Sequence, residues 1–337
     1  MKKTAQNQYK KKYHIASDKS LAIEVQALTK RYNPDVLALN GLTFSINRGE
    51  IFGLIGPNGA GKSTAVKIMT TLSRPSQGKV RLYNIDATQY PKKARHLFGY
   101  VAQQSGVDGE STGRENLMLQ GRLYGLRGLR LRERVGQLLT QFNLIEAADR
   151  LTKTYSGGMQ RKLDLAMGLI HRPQLLFLDE PTTGLDPEAR TSLWKMIHHL
   201  AEEEGLTVLL TTHYLEEADQ LCNRMAIIDQ GKVVKQGTAG ELKAGLNGDV
   251  VHMEITETIT ESRATTILQD ISGLDEIIVE ASTLYVRTNR GAEQLPTLIN
   301  AIKSANIEVQ SATISRPSLD DVYLRHTGRI FAENEEV

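Results

Sequence analysis

A glycine-rich loop near the start of the sequence has the residues needed to hold a phosphate group. The loop matches the pattern G-x-x-x-x-G-K-[ST]. Its residues are Gly56, Pro57, Asn58, Gly59, Ala60, Gly61, Lys62, Ser63 and Thr64. Glycines let the backbone curl so that several N–H groups point at one anion. The lysine can then reach the β- and γ-phosphates of a nucleotide, and the serine hydroxyl can ligate Mg²⁺. The alternative interpretation is a glycine-rich turn with an exposed lysine.

The residues on either side of the loop favour phosphate binding. Residues 50–55 are mostly apolar and predict a buried strand, and residues 63–69 have the composition of a helix start. The order strand, loop and helix N-terminus brings the positive end of the helix dipole to the phosphates.

Two acidic residues, Asp179 and Glu180, end the apolar run of residues 175–178. An unbroken apolar run is typical of a parallel strand buried on both faces, and ligands bind at the carboxyl ends of such strands. We therefore expect Asp179 to hold Mg²⁺, directly or through water. Glu180 is placed to act as the general base on the attacking water, a role that contributes roughly 10²–10⁴-fold. The alternative is a strand that simply ends in solvated acids, and the presence of the phosphate loop argues against it.

A third motif, Ser156-Gly157-Gly158, comes shortly before that strand, and a helix is expected over residues 159–169. Taken alone, Ser-Gly-Gly is a common turn. Together with the loop and the Leu-Asp-Glu strand, it resembles the nucleotide-binding subunits of ABC transporters. The resemblance implies that the serine and the glycine amides lie at a helix N-terminus. There they close over the γ-phosphate of ATP bound to the opposite subunit.

The resemblance extends to four further residues in the expected order. Tyr32 resembles the aromatic residue that stacks on adenine, although a tyrosine beside a strand also serves as packing. Gln103 resembles the glutamine that touches Mg²⁺ and the attacking water, and Gln104 directly after it leaves that assignment open by one position. Asp186 resembles a residue of the loop that crosses the dimer interface. His213, after another apolar strand, resembles the histidine that contacts the γ-phosphate.

The third motif departs from the commonest pattern of the family at two positions. Tyr155 stands where the family usually has leucine, and Met159 stands where it usually has glutamine. This variant is familiar in one exporter branch. Because the phosphate-contacting atoms come from Ser156 and the glycine backbone, we expect neither change to abolish the site.

The composition is that of an ordinary globular protein, with 337 residues, 40% hydrophobic and 24% charged. This length predicts two domains. The net charge of +2 gives no argument for a nucleic-acid partner, and none is expected. No apolar run approaches membrane-crossing length, and no secretory signal is expected. The single cysteine, Cys222, excludes an internal disulfide framework, and we expect a packed thiol in a helix over residues 214–223.

Three segments are predicted along the chain. Residues 1–20 are polar and rich in lysine, which indicates a disordered tail or a segment attracted to anionic lipid. The resemblance implies that residues 21–240 form the nucleotide-binding domain, an α/β P-loop NTPase of ABC type with a RecA-like core, an antiparallel β subdomain and a helical subdomain. In residues 247–327 the patterns follow the order β-α-β-β-α-β, which predicts a small α+β ferredoxin-like accessory domain. A capped helix is expected to close it.

The helical section is expected over residues 108–170. Thr112 and Glu115 have the spacing of a capping box, which predicts a helix over residues 115–124. Two basic turns are expected to follow. Their arginines are Arg127, Arg130, Arg132 and Arg134. The resemblance implies that this region receives a coupling segment of the membrane subunit, and the alternative is a solvated charged face.

The whole plan resembles the ATP-binding proteins of daunorubicin-type drug-resistance exporters, which work with a separate ABC-2 membrane permease. Residues 111–117 and 318–324 carry this closer likeness. It implies an ATP hydrolase that binds ATP and Mg²⁺, forms a head-to-tail homodimer and lies at the cytoplasmic face of the membrane. The alternative is an ABC ATPase acting on ribosomes or nucleic acid. A single phosphate loop and the absence of a heptad array argue against it. No residue names the cargo.

Overall fold

The computed structural model describes residues 21–33, 35–246 and 248–327. The lysine-rich segment of residues 1–20 lies outside the described residues.

The chain alternates between strands and helices through most of its length. The strands are β1 (Leu21–Asn33), β2 (Val36–Asn47), β3 (Ile51–Ile55), β4 (Gln77–Leu82), β5 (Ile85–Asp86), β6 (Phe98–Val101), β7 (Leu175–Asp179), β8 (Thr207–Thr212), β9 (Arg224–Asp229), β10 (Lys232–Gly237), β11 (Asp249–Ile255), β12 (Leu274–Glu280), β13 (Thr283–Thr288) and β14 (Val309–Ser315). The helices are α1 (Lys62–Met69), α2 (Pro91–Arg95), α3 (Gly113–Leu123), α4 (Gly128–Gln141), α5 (Gly157–Gly168), α6 (Pro187–Glu202), α7 (Leu215–Leu221), α8 (Ala239–Ala244), α9 (Glu261–Leu268), α10 (Gly291–Ser304) and α11 (Leu319–Thr327).

The central sheet has the strand order β10-β9-β3-β8-β7-β6. Strands β9, β3, β8, β7 and β6 run parallel, and β10 pairs antiparallel with β9. Every residue of β3, β7 and β8 is buried, as expected for parallel strands covered on both faces. Because these strands point the same way, their carboxyl ends meet at one edge of the sheet, and the predicted site residues follow those ends.

A second, antiparallel sheet has the order β2-β1-β4-β5 and touches the phosphate loop. Gly61 has a φ of +107°, and a Cβ atom added to it would lie 2.6 Å from the carbonyl oxygen of Ala38 in β2. Only glycine therefore fits at this position.

The helical section contains α3, α4 and α5. The predicted capping box is confirmed, because Thr112 Oγ1 accepts from the Glu115 amide and Glu115 Oε2 accepts from the Thr112 amide. The prediction of two basic turns is wrong, because residues 128–141 form the continuous helix α4. Its inner face carries apolar residues at helical spacing, and burial of that face holds the helix together. Those residues are Leu131, Val135, Leu138 and Leu139.

The structure also corrects one alternative, for Arg134, and one expectation, for Cys222. Arg134 does not lie on a solvated surface, since its guanidinium donates to the carbonyl oxygens of Leu169 and Ile170 at the end of α5. Cys222 is not inside a helix, because α7 ends at Leu221 and Cys222 caps it with extended backbone.

The last sheet has the order β12-β13-β11-β14, and all neighbouring strands are antiparallel. With α9 and α10 it forms the predicted ferredoxin-like arrangement. The closing helix α11 packs elsewhere, because its Leu319, Val322 and Tyr323 join a cluster with Leu215 and Ala218 of α7. The predicted fold class is confirmed. The predicted domain boundaries, residues 21–240 and 247–327, remain predictions.

Membrane crossing needs a helix of sufficient length and hydrophobicity, and none within the described ranges has both.

A partly buried histidine after α5 makes the stability of the fold depend on pH. His171 Nε2 donates to the carbonyl oxygen of Phe98 at 3.0 Å, and its ring stacks on Tyr124. Burial lowers the pKa of His171 from 6.5 to about 4. Below pH 6.5 the unfolded chain therefore binds a proton at this residue that the folded chain does not bind. Stability is lost as the pH falls, because protonation favours the unfolded chain.

We predict that His171→Gln reduces this loss. Between about pH 7 and pH 5, the wild-type protein should lose roughly 2 kcal/mol more unfolding free energy than the variant. Urea unfolding at both pH values measures the difference, and His199→Gln at an exposed position of α6 is the control. Equal pH dependence of the wild type and His171→Gln would contradict the prediction.

Candidate nucleotide site

Side chains from four neighbouring strand ends meet at the carboxylate of Glu180. Lys62 Nζ lies 3.4 Å from Glu180 Oε1. Gln103 Nε2 donates to Glu180 Oε2 at 3.1 Å, and His213 Nδ1 lies 3.3 Å from the same oxygen. The structure thus brings together predicted site residues that are far apart in the sequence. It also selects between two adjacent glutamines, because the amide of Gln103 is the one that reaches Glu180.

The ammonium group of Lys62 is almost fully buried, with 4% of the residue exposed. Nζ donates to the carbonyl oxygen of Gly56 at 2.6 Å and to that of Pro57 at 3.3 Å. Burial lowers the pKa of Lys62, although the nearby charge of Glu180 opposes this shift. A buried cation next to the positive end of a short helix and a curled loop fits the charge of a phosphate group.

Glu180 is ionised despite its burial. Burial alone would raise the pKa of this carboxyl, but the neighbouring His213 and Lys62 outweigh it and lower the pKa. An ionised carboxylate can accept a proton or a hydrogen bond from water. The arrangement is therefore suited to orienting a water molecule.

Asp179 lies beside Ser63, and the two form an oxygen-rich pair. Ser63 Oγ is 3.5 Å from Asp179 Oδ1, and Thr211 Oγ1 donates to the same carboxylate oxygen at 2.6 Å. A hydroxyl and a carboxylate are the oxygen donors that Mg²⁺ prefers. The residues present therefore fit a magnesium ion held between them.

Two residues around the site were missed by sequence reasoning. Thr211 donates a hydrogen bond from its hydroxyl to Asp179. The sequence feature that could have indicated this role is a polar residue near the end of an apolar strand. Arg161 of α5 donates to several backbone carbonyls behind the site. The sequence feature that could have indicated it is a charged residue on a helix that buries half of its residues.

The Ser-Gly-Gly motif lies at the start of α5. Ser156 is the N-cap residue, and its Oγ accepts from the amide of Met159 at 3.3 Å. Gly158 lies so close to α6 that an added Cβ would be 3.0 Å from the Cβ of Ala189. Among the contacts of the described residues, none joins Ser156 to Lys62 or Glu180.

Asp186 and Tyr32 lie at the borders of the site. Asp186 is the N-cap residue of α6, and its Oδ1 accepts from the amide of Ala189 at 2.8 Å. Tyr32 is half exposed near the end of β1, with Lys30 Nζ 5.0 Å from its ring centroid. Strand β1 pairs with β2, and β2 touches the phosphate loop through Ala38.

Comparison with known proteins places this arrangement in a family. The family model described as ABC transporter matches residues 39–183. The model described as the C-terminal domain of DrrA1-3-like ATP-binding proteins matches residues 237–327.

Two curated relatives and one solved structure show the same similarity over longer stretches. The daunorubicin/doxorubicin resistance ATP-binding protein DrrA of Streptomyces peucetius is 41% identical over 308 residues, which cover 91% of this chain and 92% of the relative. The Nod factor export ATP-binding protein I of Burkholderia thailandensis is 36% identical, with 91% and 97% covered. A dimeric ATP-binding cassette in a post-hydrolysis state, bound to ADP and Pi, has a TM-score of 0.58 at 28% identity and covers 64% of this chain and 98% of its own.

The fold and the strand-end cluster are those of an ABC-type ATPase. The chain belongs to the family of ABC transporter ATP-binding proteins, in the branch of the daunorubicin-resistance type. It is accordingly an ATP hydrolase of this class.

Proposed function

We propose that this chain powers an exporter and that Glu180 acts as the general base in ATP hydrolysis. The observation that carries the proposal is the convergence of Lys62, Gln103 and His213 on the Glu180 carboxylate. A base must lie within hydrogen-bond reach of the proton it accepts, and amide and imidazole groups beside it can orient a water molecule.

The roles of the other residues follow from their positions. Lys62 exchanges the carbonyl oxygens of Gly56 and Pro57 for phosphate oxygens, and the loop amides bind the same phosphates. When Lys62 moves away from Glu180, the carboxylate loses a positive neighbour and becomes more basic. Ser63 and Asp179 would hold Mg²⁺, which offsets the charge on the phosphates when it is bound.

We further propose that two copies bind head to tail and share each site. Support comes from the N-terminus of α5, where Ser156 and Gly157 are exposed and can receive an anion from another molecule. The loop from Glu180 to Asp186 packs beside this helix start, since a Cβ added to Gly157 would lie 3.7 Å from Leu185. In this arrangement Tyr32 stacks on the adenine. The solved relative bound to ADP and Pi is itself dimeric.

A second surface supports a separate permease as the partner. A groove of about 320 Å³ lies between α3 and α4. Its lining residues are Met118, Arg122, Arg127, Gly128, Leu131 and Arg132. Leucine side chains are exposed on the same two helices, Leu119 at 56%, Leu123 at 73% and Leu129 at 71%. Apolar side chains among arginines fit an amphipathic segment that carries acidic residues.

The groove is connected to the site through the start of α3. Asn116 Oδ1 accepts from the amide of Asp108 at 2.9 Å, and its amide group donates to the Asp108 carbonyl at 3.1 Å. Asp108 lies in the segment that begins at Gln103. A permease segment bound in the groove would therefore act on the same stretch of chain that holds Gln103 to Glu180.

The remaining assignments are proposals of the same kind. We propose that the protein lies at the cytoplasmic face of the membrane through its permease, that residues 21–240 hydrolyse ATP, and that residues 247–327 form an accessory domain. The relatives are named for daunorubicin resistance and for Nod factor export, and we propose a drug or a related hydrophobic compound as the cargo.

Glu180→Gln tests the base directly. The amide has the same shape but accepts no proton, so phosphate release should fall by roughly 100-fold or more, while ATP binding persists. A dimer should accumulate with Mg-ATP, measured by size exclusion with light scattering. Glu216→Gln, an exposed change on α7, should leave both readouts unchanged. Normal turnover in Glu180→Gln would rule out this base.

Charge reversal in the groove tests the partner. Arg127→Glu with Arg132→Glu should abolish recovery of a multi-span protein from detergent-solubilised native membranes, because like charges repel the acidic segment. Basal ATP hydrolysis should stay unchanged. Arg130→Glu, on α4 but outside the groove lining, is the matched control. Recovery of the same partner by the double variant, or of ribosomal proteins by the wild type, would count against the exporter assignment.

A further inference from the structure

A buried arginine of α5 lies directly behind Glu180. Arg161 is 7% exposed. Its Nε donates to the carbonyl oxygen of Pro181 at 2.8 Å, and its Nη2 lies within bonding distance of the carbonyls of Asp179 at 3.2 Å and Glu180 at 3.3 Å. Its Nη1 donates to the carbonyl oxygen of Ala102 at 2.7 Å. One guanidinium thus binds three successive carbonyls at the end of β7 and a fourth after β6.

The backbone that Arg161 holds has an unusual conformation. Glu180 has a φ of +46°, a left-handed value that is unfavourable for a residue other than glycine. Such a conformation persists only where its surroundings fix it. The amide of Glu180 is held on the other side, where it donates to the carbonyl of Thr211 at 3.1 Å and to its Oγ1 at 3.0 Å. Arg161 and Thr211 therefore fix this turn from its two sides.

The same guanidinium also binds the backbone beside Gln103, the residue that donates a hydrogen bond to Glu180. Ala102 directly precedes Gln103, whose amide donates to Glu180 Oε2. Arg161 therefore fixes the backbone next to both ends of the Gln103–Glu180 hydrogen bond. A buried carboxylate one turn further along α5, Asp164, lies 3.9 Å from the guanidinium and accepts from the amide of Gly106 at 3.0 Å. It holds the same segment of chain and partly balances the buried positive charge.

We infer that Arg161 is a positioning residue for hydrolysis, which sets the direction of the Glu180 carboxylate by fixing the backbone on both sides of it. This inference rests on the proposed role of Glu180 as the base. The contacts require an arginine, because its planar group has five N–H donors at fixed angles. The ammonium group of a lysine keeps the charge but cannot donate to carbonyls of two separate strands with the same geometry.

Arg161→Lys is the first test. We expect kcat to fall by roughly 10- to 100-fold, because a misplaced base loses alignment with the water it activates. KM for Mg-ATP should stay within about threefold, because the phosphate loop is untouched. The matched control is Arg134→Lys, since Arg134 is partly buried and its guanidinium bonds among the described residues go to backbone carbonyls at the far end of α5. Its kcat per folded molecule should equal that of the wild type.

A double variant separates positioning from general support of the fold. If Arg161 acts through Glu180, then Arg161→Lys should lower kcat little further in the Glu180→Gln background. Thermal unfolding midpoints of all variants, taken alongside, give the folded fraction for each. Where Arg161→Lys does not fold, Arg161→Gln, which keeps an amide donor at this position, takes its place in the same comparison.

Three results would overturn the inference. The first is a kcat per folded molecule of Arg161→Lys equal to that of Arg134→Lys, and the second is a full multiplicative loss in the double variant. The third is normal turnover of Glu180→Gln, which would remove the proposed base itself. An inactive Glu180→Gln together with a fully active Arg161→Lys would leave the base in place and reject only the positioning role.

Discussion

The structure depends on a pair of opposite charges buried between the phosphate loop and the end of β7. The ammonium of Lys62 and the carboxylate of Glu180 lie 3.4 Å apart, and the two residues are only 4% and 8% exposed. Removing two charges from water is unfavourable unless further hydrogen bonds satisfy both groups. The carbonyls of Gly56 and Pro57 do this for the lysine, and Gln103 does it for the carboxylate. The pair is therefore stable in this form, and we propose that it separates when a phosphate group offers Lys62 a better partner.

The surrounding fold supplies a rigid frame for this exchange. The parallel strands are buried along their whole length, so their ends can hold polar groups at fixed separations. The backbone of Glu180 is fixed by Thr211 on one side and by Arg161 on the other. We propose that nucleotide binding changes the partners of these side chains while the backbone that carries them stays in place. Because Arg161 belongs to α5, the helix that Ser156 caps is tied to the same frame.

Much of this could be predicted from the sequence, because the phosphate loop and the acidic strand end are local patterns with strong chemical requirements. The ferredoxin-like sheet followed from the alternation of its strands. The continuous helix α4 was not predicted, because Gly128 and the dense arginines resemble a turn. The apolar residues on its opposite face are buried, and this burial stabilises the helix. Arg161 and Thr211 were missed for another reason. Arg161 binds backbone carbonyls 18 to 59 residues away, and backbone groups cannot be recognised in a sequence. Thr211 binds the Asp179 carboxylate and the Glu180 amide, which are 32 and 31 residues away. The choice of Gln103 over Gln104 likewise needed the direction of a side chain.

The most direct test of the account is a structure of the Glu180→Gln variant with Mg-ATP. The account predicts that Lys62 Nζ has left the carbonyl of Gly56 for the phosphate oxygens, and that residue 180 keeps its positive φ and its contact with Arg161. It also predicts that the partner's Ser156 lies on the γ-phosphate. A structure in which Lys62 stays on the loop carbonyls, or in which the backbone at residue 180 relaxes when nucleotide binds, would contradict it.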